Sequence, residues 1–324
     1  MFFSAAGAGV IIALMALIKI FIGQTELSFG IQTVLASLNY GLGFVFIHLL
    51  GFTIATKQPA MTASTFAKAV EKGKNNKTNQ LKLVKLVFQV SRSQFAAVAG
   101  NVSLALLVAF GFGVVFVSYH GAFLNPEEAY YYFHSSDPFP ALLYAAIAGV
   151  WLFCSGIIAG YFDNRADYLD LKYRYMYHPL LIKITSKVFR ERLATFLHEN
   201  HGAIAGNFFF GILLGITPYF GHLLGLPLDI RHVAFSTANL GYAQLHLNAS
   251  VWEFLLVLCF VLLIGLVNLT VSFALALRVS LRARDAHFGS FSGFLKLLFQ
   301  EASARPLELF WPSKPEDETK KPTA

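Results

Sequence analysis

Apolar residues fill six long runs of the chain, and polar segments separate these runs. The runs extend from Phe3 to Ile22, Gly30 to Ala55, Gln94 to Val117, Phe139 to Tyr161, Gly202 to Leu224 and Val251 to Leu277. Each has the length of about 20 residues that a helix needs to cross a bilayer core of about 30 Å. The runs are continuous instead of alternating, which excludes a β-barrel. The pattern predicts an all-α, polytopic bundle with six transmembrane helices.

Three further segments have apolar residues at helical spacing among Lys and Arg. They lie at 81–88, 181–188 and 291–299. Each predicts an amphipathic helix on the inner leaflet of the membrane. We therefore expect one transmembrane domain over 1–311, with cytoplasmic amphipathic helices. The segment 312–324, rich in Pro, Lys and Glu, is predicted to be a disordered cytoplasmic tail.

The composition supports a membrane protein. Hydrophobic residues make up 56% of the chain and charged residues 13%, whereas soluble domains carry about a quarter charged residues. These values exclude a disordered chain and an ordinary soluble enzyme. The two cysteines, Cys154 and Cys259, lie in apolar runs and are expected to be buried structural thiols.

The basic residues predict the orientation of the spans. Of the 25 Lys and Arg residues, 23 lie in the segments from Lys57 to Arg92, from Arg165 to Arg192 and after Leu277. Cytoplasmic loops collect Lys and Arg, so we expect both termini to be cytoplasmic. This distribution accounts for the net charge of +7 without nucleic acid as a partner. The first run has no basic residues before it, and we interpret it as a retained span and not as a signal peptide.

Two short stretches resemble each other. Residues 97–101 read AVAGN and residues 203–207 read AIAGN, each at the start of a run. A parallel repeat of helical hairpins explains the likeness, and so does chance among small residues. The fifth run also holds glycines four residues apart, which predicts close packing near the centre of the bundle. Pro218 is expected to kink or break that helix.

Polar residues inside the runs are candidates for a ligand site, because such residues are costly in a membrane. Five of them lie roughly 8 to 13 Å from the predicted cytoplasmic end, at 1.5 Å per residue. They could hold the helices together by hydrogen bonds, or they could line a cavity for a small ligand. The residues are His48, Asn101, Ser155, Asn207 and Asn268, with Lys57 and Arg165 as expected charged contacts at the cytoplasmic mouth.

The last outer loop contains a second group of charged and titratable residues. Asp229, Arg231 and His232 lie close together after Pro227. A local ion pair and the mouth of a ligand site are both consistent with this spacing. His198 and His201 lack the HExxH spacing of a zinc protease, and we assign no metal and no cofactor.

Three stretches of the chain resemble a known bacterial family. They are TKQPAMT at 56–62, GNFF at 206–209 and GLPLDIRH at 225–232. The chain is similar, over nearly its whole length, to a Gram-negative family described as site-specific recombinases after a gonococcal crossover recombinase. The resemblance implies a multi-pass protein of the inner membrane. Longer members carry a large region ahead of the spans, and we expect this chain to correspond to their C-terminal membrane region.

Recombinase chemistry has requirements that this sequence does not meet. A tyrosine recombinase needs a Tyr nucleophile, an Arg-rich cluster and a His-x-x-Arg element, and none of the ten histidines is followed by Arg at that spacing. A serine recombinase needs a soluble catalytic domain, and the basic segments here are too short to bury such a core. We therefore expect no enzymatic activity and treat the family description as a label.

Three functions remain as hypotheses. The leading one is binding or transport of a small solute or lipid. The alternatives are site-specific recombination and a membrane scaffold that binds anionic lipids through its basic helices. The expected partners are the lipid bilayer, anionic lipids and a small-molecule or lipid ligand, whereas nucleic acid is not favoured and the oligomeric state is not predicted.

Overall fold

The computed structural model describes residues 1–54, 68, 77–247, 249–285 and 291–311. These residues form helices joined by turns, without any strand in the described ranges. The helices are α1 Phe2–Gly23, α2 Phe29–Leu49, α3 Lys77–His120, α4 Pro126–His134, α5 Pro138–Tyr168, α6 Leu171–Met176, α7 Pro179–Ile184, α8 Lys187–Leu224, α9 Val233–Ala243, α10 Val251–Ala283 and α11 Phe291–Ala304. Single turns of 3-10 helix follow at Gln244–His246 and Pro306–Leu309.

Six of these helices are long and apolar enough to cross a membrane: α1, α2, α3, α5, α8 and α10. The predicted all-α polytopic bundle is therefore confirmed. We call the end of the bundle that carries Met1 the basic end, because the Lys- and Arg-rich segments lie there, and the other end the opposite end. The predicted tail after residue 311 and the TKQPAMT motif with Lys57 lie outside the described residues.

Some helix boundaries differ from the predicted ones. Helix α2 ends at Leu49 and not at residue 55, because Gly51 adopts a left-handed conformation with φ of 71° that ends helices. The predicted amphipathic segment at 81–88 and the third span form one continuous helix, α3, of 44 residues. At 1.5 Å per residue this helix is about 66 Å long, so its first part extends well beyond a bilayer core.

Two of the predicted amphipathic segments pack against each other. Leu83, Val84 and Phe88 of α3 are buried and form one cluster with Phe294 of α11. The two helices therefore pack part of their apolar faces against each other, whereas Leu295 and Phe299 of α11 stay exposed, and a position on the inner leaflet stays a prediction. The segment 181–188 is not one helix, since Ser186 caps the start of α8 by accepting a hydrogen bond from the backbone of Phe189.

Neighbouring spans follow one another in the order α3, α1, α2, α8, α5 and α10. Helix α8 packs between α2 and α5, and α1 packs between α3 and α2. The short helix α9 contacts α3 and α10, the two ends of this series, and also α1 and α4. Helix α9 therefore lies inside the bundle and not in an outer loop.

Glycines let α8 approach its neighbours closely. A methyl group on Gly211 would overlap the backbone of Gly41 in α2, and one on Gly215 would overlap Ser37 in the same helix. On another face, a methyl group on Gly206 would lie 2.8 Å from a backbone oxygen of α5. These contacts confirm the predicted central position of α8. The helix is not broken at Pro218 but continues to Leu224, as spanning helices supported by neighbours can.

The two AxAGN stretches share a packing role. A methyl group on Gly100 would overlap the backbone of Phe2 in α1, just as Gly206 closely approaches α5. Their surroundings differ, since α3 packs mainly on α1 whereas α8 packs on both α2 and α5. A parallel hairpin repeat stays a prediction.

The closeness of α2 and α8 leads to a test. We expect Gly211→Ala to lower the free energy of unfolding by about 1–3 kcal/mol, because the added methyl group forces the two backbones apart. The matched control is Gly111→Ala in α3, where a methyl group would meet nothing within 4 Å. Titration with sodium dodecyl sulfate, followed by circular dichroism, measures both values. Equal stabilities for the two variants would contradict the close approach.

Candidate functional site: a polar cavity beside helix α9

The segment between α8 and α10 enters the bundle. Gly225 ends α8 in a left-handed conformation with φ of 63°, and residues 226–232 are not helical. Helix α9 follows, and ten of its eleven residues are buried. Its Tyr242 donates a hydrogen bond of 3.0 Å to the carbonyl oxygen of Ala13, in the middle of α1. We call residues 225–247 the inserted segment.

Asn268 of α10 holds the start of α9. Its side-chain oxygen accepts a hydrogen bond of 3.2 Å from the backbone N–H of Val233, the first residue of the helix. Its side-chain nitrogen donates to the carbonyl oxygens of Arg231, at 3.0 Å, and Ala145, at 2.7 Å. The Asn268 side chain is fully buried. One amide therefore connects α10, α5 and the inserted segment, and it satisfies the N–H of Val233 and the C=O of Arg231 at the start of α9.

Asp229 and Arg231 form an ion pair inside the inserted segment, with 2.5 Å between Oδ2 of Asp229 and Nη1 of Arg231. Asp229 also accepts from Tyr131 and from its neighbouring backbone N–H. The guanidinium of Arg231 donates from Nε to the carbonyl oxygen of Ser135 and lies 5.6 Å from the ring of Tyr144. The pair thus ties the inserted segment to α5 and to the turn before it.

A cavity of about 90 Å³ lies between the inserted segment and helices α1, α2 and α8. A water molecule needs about 10–15 Å³ on the same measure, so the cavity has room for several waters or a small solute. Its walls combine charged, hydroxyl, amide and aromatic groups. They come from Lys19, Ala36, Tyr40, Leu214, Gly215, Pro218, Asp229, Ile230, Arg231, His232, Phe235, Ser236 and Asn239.

Four polar side chains that line the cavity make no hydrogen bond to any described residue: Lys19, Tyr40, Ser236 and Asn239. The ammonium of Lys19 lies 5.6 Å from the ring centre of Tyr132, which is a cation–π contact. Ser236 is only 2% exposed, and Asn239 follows it on the same side of α9. Lys19, Tyr40 and Asn239 are half-buried. Buried polar groups in proteins are nearly always hydrogen-bonded, so Ser236 favours a bound solute or ordered water as its partner, and the other three groups border the same cavity.

His232 also lines the cavity, and it lies just before α9 and outside the six spanning helices. Its ring is 1% exposed and contacts the rings of Phe210 and Phe235. Burial lowers the pKa of His232 to about 4. The imidazole is therefore neutral at pH 7 and does not add to the charge of the cavity.

The five polar residues of the predicted inner layer hydrogen-bond in separate places. Asn101 donates to carbonyl oxygens of Ala5 and Thr53, whereas Asn207 and Ser155 donate to carbonyl oxygens of their own helices. His48 pairs with Asn200 across α2 and α8 at 2.9 Å. Asn268 faces the inserted segment, as described above. The contacts of His48, Asn101 and Asn268 match the helix-bonding alternative, and a shared site for the layer stays a prediction.

The outer group could be predicted from the sequence, whereas most of the cavity residues could not. Asp229, Arg231 and His232 do meet, and they form both the local ion pair and part of a cavity wall. Arg165, expected at the cytoplasmic mouth, is exposed at the end of α5. The missed residues are Lys19, Tyr40, Ser236 and Asn239. Lys19 could have indicated the cavity, because it is the one Lys or Arg within the six predicted apolar runs.

Comparison with known protein families shows which family the chain belongs to. The family model described as site-specific recombinase matches residues 1–312. The chain belongs to this family. The match covers every residue that lines the cavity, so the cavity lies within the region that defines the site-specific recombinase family. No curated protein and no solved structure matches the chain.

The role of Asn268 in this member of the site-specific recombinase family can be tested by substitution. We expect Asn268→Ala to lower the free energy of unfolding by about 1–3 kcal/mol, because buried backbone groups of the inserted segment lose their partner. The control is Ser155→Ala, whose hydroxyl bonds only to its own helix. Unfolding in mixed detergent measures both variants. A loss no greater than that of the control would show that Asn268 does not hold the inserted segment.

Proposed function

We propose that this protein binds a small polar solute in the cavity beside α9 and moves it across the bacterial inner membrane. The observation that carries the proposal is the set of four polar side chains without a hydrogen-bond partner among the described residues, all on the wall of one cavity. Polar and ionisable groups within an apolar bundle are costly and are usually retained for function. A membrane scaffold has no need of them.

The depth of the cavity supports a solute site. Lys19 lies four residues before the end of α1, and Tyr40 lies eleven residues after the start of α2. At 1.5 Å per residue these positions are about 6 and 16 Å from the opposite end of the bundle. The cavity thus reaches about the middle of a 30 Å bilayer core, where many transporters bind their substrates next to interrupted helices.

The packing of α2 and α8 indicates where such a passage would be closed. Tyr40 and Gly215 line the cavity, whereas the His48–Asn200 pair joins the same two helices nearer the basic end. The close contact of Gly41 with Gly211 lies between these two places. Transport would therefore require α2 and α8 to separate at this contact. His48 would then be a polar residue on the inner half of the path.

Water access to the cavity tests the proposal. We expect iodoacetamide to alkylate Ser236→Cys in a background with Cys154→Ser and Cys259→Ser, because the side chain borders an open cavity. The matched control is Thr237→Cys, since Thr237 is fully buried and its hydroxyl bonds to its own helix. Mass spectrometry of the intact protein measures the rates. Equal rates, or no alkylation at Ser236→Cys, would overturn the proposed site.

We also propose that both termini are cytoplasmic, as the distribution of Lys and Arg favours. Alkaline phosphatase is active only outside the cytoplasm. A fusion of this enzyme after Gly121, between α3 and α4, is therefore expected to be active, and a fusion after Asp285, which follows α10, inactive. The reverse result would place the cavity toward the cytoplasm.

DNA recombination is the second candidate, and the description of the family favours it. The geometry of the basic segments gives DNA recombination little support. The basic helices α6 and α7 have six residues each, and neither has a buried residue. Too few residues are present there to form a catalytic core. DNA retention that depends on sequence, and not only on salt, would favour recombination over solute binding.

Anionic lipid is a further proposed partner, at α7. Leu180 and Ile184 of this helix are exposed, and Lys183 lies between them. Apolar residues beside a Lys favour the surface of an anionic membrane. This contact would anchor the basic end without contributing to the cavity.

A further inference from the structure

We propose that the solute group bound in the cavity is a small oxyanion, a carboxylate or a phosphate. The inference rests on the proposed function and names the chemistry of its ligand. The source of the oxyanion, a free solute or a lipid head group, is distinguished by the experiment below.

The charge balance of the cavity favours an anion. Its charged groups at neutral pH are Lys19, Asp229 and Arg231. Asp229 already pairs with Arg231, and its carboxylate accepts hydrogen bonds at both oxygens. The charge of Lys19 has no carboxylate within 4.0 Å among the described residues. One positive charge therefore remains, and an anion in the cavity would balance it.

The hydrogen-bond donors that face the cavity also favour an oxyanion. Lys19 offers only donors, while Tyr40, Ser236 and Asn239 can each donate a hydrogen bond. The start of α9, at His232, also borders the cavity, and helix N-termini carry a positive partial charge. Donors that line one cavity with a net positive charge fit the several oxygens of an oxyanion.

The test compares two reagents of nearly equal size and different charge at Ser236→Cys. Iodoacetate carries a carboxylate and iodoacetamide does not. Lys19 can raise both rates by favouring the thiolate, but the ratio of the two rates cancels that effect. We expect the ratio to be about tenfold higher at Ser236→Cys than at Tyr119→Cys, because one nearby charge in a protein cavity has roughly this influence. Tyr119 is 81% exposed and lies at the end of α3.

Variants of Lys19 make the test specific. We expect Lys19→Gln to return the ratio to that of Tyr119→Cys, and Lys19→Arg to keep it high. The exposed Lys187→Gln at the basic end is the control for a general change of charge. An unchanged ratio in Lys19→Gln would overturn the oxyanion proposal. Alkylation by iodoacetamide in the same variant would show that the cavity, and with it the proposed function, stands.

Protection from alkylation identifies the source of the anion. Inorganic phosphate or acetate, added to protein in maltoside detergent, is expected to slow alkylation of Ser236→Cys and not of its Lys19→Gln form. Protection by phosphatidylglycerol alone would assign the oxyanion to a lipid head group. Protection by ammonium or by glycerol, with none from the anions, would contradict the proposal and leave solute binding intact.

Discussion

The side-chain amide of Asn268 makes the hydrogen bonds on which the candidate site depends. A backbone that leaves the helical conformation inside an apolar bundle must find other partners for its N–H and C=O groups. Asn268 supplies them to Val233 and Arg231 and connects both to Ala145 of α5. Without these bonds, the N–H of Val233 and the C=O of Arg231 would lack the partner that Asn268 provides.

The inserted segment in turn creates the cavity. Helix α9 has eleven residues, about 16 Å of helix, which is too short to cross a bilayer. It lies instead between the two ends of the series of spans and contacts both α3 and α10. Its Ser236 and Asn239 thereby face Lys19 of α1 and Tyr40 of α2. The close packing of α8 on α2, which glycines permit, closes the cavity toward the basic end.

Much of the fold could be predicted from the sequence because lipid imposes strict rules. Continuous apolar runs fix the number of spans, and glycine spacing indicated that α8 is central. The inserted segment could not be predicted in this way, because α9 has only eleven residues, which are too few for a span, and its sequence lies within the predicted outer loop. The positions of His48, Asn101 and Asn207 along their helices give their depth in the membrane. Depth does not give the rotation of a helix about its axis, so it does not show which neighbours a side chain contacts. Lys19 shows the same limit, since a lysine near a helix end either extends to the interface or faces a cavity.

The position of α9 inside the bundle is the central claim, and disulfide formation tests it most directly. A Cβ on Gly241 would lie 2.9 Å from Cβ of Ala109 in α3, close enough for a disulfide after a small adjustment. In membranes, with Cys154 and Cys259 replaced by Ser, the pair Ala109→Cys/Gly241→Cys is predicted to cross-link under mild oxidation. The pair Leu107→Cys/Gly241→Cys, in which Leu107 is 64% exposed, is predicted not to. Equal cross-linking of the two pairs, or none in either, would contradict the insertion of α9 and the cavity that depends on it.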